Sequence, residues 1–292
     1  MTSVAQQTAT GFRMGVLGAG RLGEAIARTW RVRTGGAPLV WNRSGSRSRL
    51  HSGDNARVSE ATWVGDWTRL LEARSIVIAV PGEAVLQLAA TTEQGSEAGS
   101  ERRSERHSDG ASEAAKFTGN VFCAAASLSQ TSLERVFPRA TVFCISPFLI
   151  DGVNSIPMLV LRPPACAADK WTEAKAELEM FGEVEVVEDE ALFSQIALLG
   201  ASWPSVVLAA VQAAAVAGLQ GIEDQSAARI GNRIFYRAME SLLAARTGDS
   251  STGDIATPGG ITERGLQSLG DVTRLFESVF NQMQARAAEL RA

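Results

Sequence analysis

Residues 14–30, MGVLGAGRLGEAIARTW, constrain this chain more than any other stretch. The apolar run 14–17 reads as a short strand. A Gly18-x-Gly20-x-x-Gly23 turn follows, and Leu22, Ile26 and Trp30 then recur on one side of a helix. Each glycine has a distinct physical task. Gly18 permits the tight turn, Gly20 lets the backbone approach a pyrophosphate, and Gly23 lets the helix lie close to the strand. The helix start that follows offers unpaired N–H groups and a partial positive charge. Gly18, Gly20, Arg21, Leu22 and Gly23 are therefore expected to hold a dinucleotide. The alternative is a glycine-rich turn that binds nothing.

The next apolar run, residues 38–41, ends in Asn42-Arg43-Ser44. A site for NAD usually places Asp or Glu at this point to accept from the ribose hydroxyl, and none is present. An arginine and a hydroxyl suit a 2′-phosphate, because guanidinium offers several donors in a planar fork and stays charged. NADPH is thus expected over NADH, the alternative being a solvated basic loop. A helical segment at 66–73 leads to the continuous apolar strand 75–80, stopped by Pro81-Gly82. Further strands are expected at 120–126, 141–145, 157–161 and 183–187, with a helix over 169–181. Apolar strands alternating with helices indicate a mostly parallel sheet covered on both faces, the Rossmann-type α/β arrangement. Ligands in such sheets bind beyond the carboxyl ends of the strands, which brings Ala79, Val80 and Pro81 to the cofactor.

From about residue 190 the alternation stops and helices are expected at 206–219, 226–246 and 262–291. The chain of 292 residues is thus expected to divide into a disordered tail (1–11), an NADP-binding domain (12–189) and an all-helical dimerisation and substrate-binding domain (190–292). Residues 91–116 are nearly free of large apolar side chains and are expected to form a disordered insertion. The run 194–222 holds no charged residue, which raises the question of a membrane span. Pro204 interrupts it and neither flank is basic, so a helix buried in the protein or at a subunit interface is the preferred reading. The first ten residues do not read as a signal peptide, and a cytoplasmic location is expected. A net charge of −4 argues against nucleic acid as a partner. With two histidines, His51 and His107, and no metal-ligand spacing, triad hydrolysis and metal catalysis are poorly served. Cys123, Cys144 and Cys166 lie far apart and are expected as reduced thiols.

Within the helical half, DIATPGGITERGL at 254–266 joins a loop to a helix start. Pro258 fixes one backbone angle, Gly259 and Gly260 free others, and the first N–H groups of the helix can receive a small carboxylate. Thr262 can cap the helix or reach the ligand, and an ordinary capped turn is the alternative.

Four motifs, taken in order, give the chain a family likeness: GVLGAGRLGEAIA, NRS, FGEVEVVEDEALFSQIALLGASWPS and ATPGGITERGL. The chain resembles the pyrroline-5-carboxylate reductases, which use NADPH or NADH to reduce a cyclic imine to proline. The resemblance implies that backbone N–H groups of Gly259, Gly260 and Ile261 hold the substrate carboxylate, with Thr262 beside the ring nitrogen as the catalytic position. It also implies a proline-biosynthetic reductase that forms a homodimer through its C-terminal helices. Several positions depart from the family pattern. Pro81 stands in place of a lysine, Ile145 in place of an asparagine and Phe148 in place of a small residue. Trp203 and Val206 replace a glycine and a tyrosine. Reduction of 1-pyrroline-5-carboxylate is therefore the expected activity. A reductase of a different cyclic imine, or a non-catalytic NADP-binding paralogue, are the alternatives.

Overall fold

The computed structural model describes residues 14–43, 61–90, 109–148, 155–244, 261–268 and 272–290. Eight strands form one sheet in the order β3-β2-β1-β4-β5-β6-β7-β8. They are β1 (Met14–Leu17), β2 (Leu39–Trp41), β3 (Thr62–Trp63), β4 (Ser75–Ile78), β5 (Asn120–Cys123), β6 (Thr141–Pro147), β7 (Met158–Leu161) and β8 (Val184–Val187). Every pairing is parallel except β6 with β7, where Ile145 faces Val160. Gly15 sits between Leu39 and Ile76, so β1 is an interior strand with neighbours on both edges.

Because successive side chains leave a strand on opposite faces, each apolar strand feeds two cores. Ile76 and Ile78 point one way, and Val77 the other. Around Ile76 and Ile78 pack α2 (Gly82–Ala90), α3 (Asp109–Lys116), α4 (Gln130–Val136), α6 (Glu190–Ala201) and a short 3-10 helix, Trp67–Glu72. Around Val77 pack α1 (Arg21–Thr34) and α5 (Ala168–Glu179), with Trp30, Phe122, Phe143 and Leu178 fully buried. Helix α1 ends where Gly35, at φ +71°, donates its N–H to the Arg31 carbonyl at 2.9 Å, a left-handed stop suited to glycine.

Several expectations change. The disorder expected over 91–116 does not hold for its carboxyl end, where residues 109–116 form α3 and Ala114 is fully buried. A small side chain fits where helices crowd, so the lack of large apolar residues did not preclude packing. Residues 91–108 lie outside the described residues. Strand β3 was not expected; two residues are too few for a periodic signal. Helix α6, assigned from sequence to the helical half, instead sends Phe193 into the core of the sheet. Compact units divide between Ala201 and Ser202, with the chain from Arg286 counted to the first.

The second unit, Ser202–Ala285, carries α7 (Trp203–Gly218), α8 (Gln225–Ala244), α9 (Ile261–Ser268) and most of α10 (Val272–Glu289). Pro204 lies in the first turn of α7, where its missing N–H has no intrahelical role. The single helix expected over 262–291 is two described helices, α9 and α10. Trp203 meets Phe276 and Phe280 edge-on, with ring centroids 5.6 and 5.2 Å away. Among the described residues of this chain, the uncharged helix expected to be buried in the protein or at a subunit interface is largely exposed. Ala215 is the buried residue of α7, whereas Leu208 is 51% and Val216 68% exposed. One stretch among the described residues, Glu190–Gly218, is long and apolar enough to cross a membrane by length and composition alone.

Candidate cofactor crevice

The order of the sheet reverses beside β1: the chain runs from β1 out to β2 and β3, then returns to place β4 on the other side. Connections leave in opposite directions from β1 and β4, which opens a crevice at their carboxyl ends. The backbone builds its floor. The Ala79 N–H donates to the Leu17 carbonyl at 2.8 Å, the Ala124 N–H to the Ile78 carbonyl at 2.9 Å, and the Gly18 N–H to the Trp41 carbonyl at 2.9 Å.

The three glycines of the turn differ in what surrounds them. Gly18 adopts φ +104°, and a Cβ there would stand 2.5 Å from Val80 Cγ1 and 2.7 Å from the Ala79 carbonyl oxygen. A Cβ on buried Gly23 would run into the Gly18 carbonyl, so helix and turn touch through backbone alone. Gly20 is the opposite case: it is exposed and nothing lies within 4 Å of where its Cβ would be. That open space sits at the N-terminus of α1, where no side chain caps the helix. A pyrophosphate fits the chemistry of this position, since it needs close backbone approach and N–H donors.

Other residues expected around a cofactor lie in the first turn of α1 and just after β2 and β4. Leu22 is half-buried and Arg21 exposed in the first turn of α1. Asn42 and Arg43 follow β2, the first half-buried and the second exposed; Ser44 lies outside the described residues. Ala79 and Val80 are half-buried at the end of β4, and Pro81 is exposed. Ala124, at the end of β5, belongs to the same floor and was missed from sequence; its signal was a small residue directly after an apolar strand. At the end of β6, the Phe148 N–H donates to the Pro157 carbonyl at 2.8 Å, and the Phe148 ring lies so close to Gly200 that no Cβ fits there.

The substrate cradle expected at Gly259 and Gly260 lies outside the described residues. Ile261 begins α9 and is 94% exposed, and Thr262 is the next residue of that helix. Nucleophilic thiols are poorly served: burial pushes the Cys123 thiol up to about 12 against the opposing hydrogen bond at Ala125. Burial also raises Cys166, opposed by nearby Arg162. Among the described residues no group of acidic, histidine or cysteine side chains could hold a metal ion. His51 and His107 lie outside the described residues.

Solved structures share this architecture over almost the whole chain. A pyrroline-5-carboxylate reductase from Coxiella burnetii matches with a TM-score of 0.67 at 18% identity, covering 96% of this chain and 98% of its own. The 1-pyrroline-5-carboxylate reductase of Streptococcus pyogenes gives 0.69 at 15%, covering 94% and 97%. The Plasmodium falciparum pyrroline carboxylate reductase, solved with NADP bound, gives 0.70 at 13%, covering 97% and 99%. The chain has the fold of the pyrroline-5-carboxylate reductases. No protein-family model matches the sequence, and no curated protein does. The likeness to these reductases therefore rests on backbone arrangement, a Rossmann-type sheet followed by a helical region.

Proposed function

We propose that this protein is an NADPH-dependent reductase of a cyclic imine carboxylate, with 1-pyrroline-5-carboxylate as substrate and L-proline as product. The observation that carries this reading is the coincidence of two features. The glycine turn opens on an uncapped helix start at the sheet reversal, and almost the whole chain shares the fold of two pyrroline-5-carboxylate reductases and a pyrroline carboxylate reductase.

NADPH, when bound, supplies the hydride that adds to the imine carbon while a proton adds to the nitrogen. Gly18, Gly20 and Gly23 let the turn and the start of α1 approach the pyrophosphate, and Arg21 and Leu22 offer their first-turn backbone. Asn42, Arg43 and Ser44 are assigned to the 2′-phosphate side of the ribose, Arg43 through its guanidinium fork. Ala79, Val80 and Pro81 line the crevice without side chains that compete for the cofactor. Gly259, Gly260 and Ile261 are assigned to the substrate carboxylate, and Thr262 to the ring nitrogen. Each hydrogen bond to a charged carboxylate is worth about 1.5–3 kcal/mol, enough for a few to orient a small substrate. We assign the protein to the cytoplasm and its α7 and α8 faces to a second copy of the chain; Val207, Leu208, Val216, Ile230 and Ile234 are exposed on them.

The Phe148 ring against Gly200 favours a second reading, reduction of a cyclic imine other than pyrroline-5-carboxylate. The test is NADPH oxidation by the purified protein across a panel of cyclic imines, with Thr262→Ala alongside. Turnover should be fastest on pyrroline-5-carboxylate and fall at least tenfold in the variant without loss of fold. Faster turnover on another imine selects the second reading, and cofactor binding without oxidation of any imine rejects both.

A further inference from the structure

Helix α8 carries a row of charge that the proposed reaction does not use. Its sequence places arginine at every fourth residue, Arg229, Arg233 and Arg237. At 3.6 residues per turn, these positions fall within roughly 80° of arc and along about 12 Å of helix. All three are exposed. The packed side of the helix is another one: Phe235 and Met239 are half-buried, and a Cβ on Gly231 would stand 2.8 Å from Leu219 Cδ2.

Among the described residues no carboxylate pairs with this row; Arg229 Nη2 donates to Ser226 Oγ at 2.9 Å. Asp224, just before the helix, already accepts from the Ser226 and Ala227 N–H groups at 2.6 and 3.2 Å. Glu240 is the single acid within α8. Like charges four residues apart on a helix repel, and an anionic partner relieves that repulsion. A second copy laid on the row by two-fold symmetry would set arginine against arginine. The row therefore lies beside, and not within, the apolar face of Ile230 and Ile234 assigned above to that copy. Guanidinium meets phosphate oxygens through paired hydrogen bonds in one plane. Lipid headgroups diffuse laterally and so match the spacing of the row, whereas an acidic protein helix needs carboxylates in register with it. Clusters of about 4–8 basic residues on an amphipathic helix are the usual signature of anionic-lipid binding. One chain supplies three, and a pair of copies doubles that number. Because the whole chain has a net charge of −4, attraction to an anionic surface is confined to this face and is screened by salt.

We propose that the arginine row of α8 docks the protein peripherally on an anionic phospholipid surface, with Arg229, Arg233 and Arg237 on headgroup phosphates. The docking is independent of the reductase reading. Co-sedimentation of the full chain tests it, with vesicles of phosphatidylcholine alone and of equal parts phosphatidylcholine and phosphatidylglycerol, at low and high salt. Arg229→Gln/Arg233→Gln/Arg237→Gln is compared with Arg69→Gln/Arg135→Gln/Arg139→Gln, which has the same net charge but loses exposed arginines of the first unit. Glutamine sustains a helix nearly as well as arginine, so the row variant keeps its fold, which circular dichroism verifies. Binding should require phosphatidylglycerol, disappear at high salt and fall at least tenfold in the row variant, with the comparison variant unchanged. No sedimentation with either vesicle, equal sedimentation with both, or an equal fall in the two variants would each overturn the proposal. Binding to polyglutamate in place of vesicles would assign the row to an acidic protein instead. Loss of a dimer in the row variant on size-exclusion chromatography would assign it to the second copy.

Discussion

The two edges of one sheet are built by opposite means. At the carboxyl edge, Gly18, Gly20, Gly23, Ala79 and Ala124 make a surface of backbone, and the space at Gly20 is open because side chains are missing. At the amino edge, Ser75, Asn120, Arg74 and Glu177 join β4, β5 and α5 through side chains. Backbone donors cannot move when a ligand leaves, so the first edge is preorganised at no side-chain entropy. A buried carboxylate costs desolvation, and its hydrogen bonds offset that cost only while all of them are made. One edge is therefore suited to binding and the other to holding elements together.

The contrast can be broken first at Gly23. Gly23→Ala drives a methyl group into the Gly18 carbonyl, which belongs to backbone and cannot swing away. The expected loss is about 3 kcal/mol, the upper end of overpacking effects, measured by urea unfolding, with NADPH affinity lost as well. Unchanged affinity would mean that the turn does not carry the cofactor. At the other edge, Glu177→Ala leaves Ser75 and Asn120 without their buried acceptor, and should cost about 2 kcal/mol. Its NADPH affinity should be unaltered; a fall in affinity would show that the two edges are coupled.

Smaller effects sharpen the picture. Arg43→Ala should weaken NADPH about tenfold, or about 1.4 kcal/mol, and leave NADH nearly unchanged. Equal loss of both cofactors in fluorescence titration would remove Arg43 from the 2′-phosphate. The smallest effect is a pH slope. Burial raises the Glu177 carboxyl above the ordinary carboxylate range, against the lowering effects of Ser75, Asn120 and Arg74. Between its unfolded and folded pKa values the folded chain holds more protons than the unfolded one. Stability from this group is thus complete below the unfolded value and declines as pH rises through the raised folded value. Glu177→Gln should flatten that decline in denaturation midpoints taken from acid to neutral pH, and an unaltered slope would assign it to other groups.

Much of the carboxyl edge was legible in sequence because its information is local. The strand, turn and helix of residues 14–30 follow one another directly, and the positive φ of Gly18 is a property of one residue. The joining edge was not legible. Glu177 reads as an ordinary charge on an amphipathic helix, and its partner Ser75 is 102 residues away. Ala114 likewise gave no sign of its burial, since composition reports side-chain size and not the room available between helices.

The sequence by itself determined the apolar strands, the glycine turn and the change to helices after β8, because each depends on neighbouring residues and a repeating period. Only the tertiary structure decided that β7 runs antiparallel to β6, that α6 packs on the sheet, and that Glu177 meets Ser75 and Asn120 at the amino edge. Those outcomes depend on which distant segments meet, and burial and charge acquire their energies only where they meet.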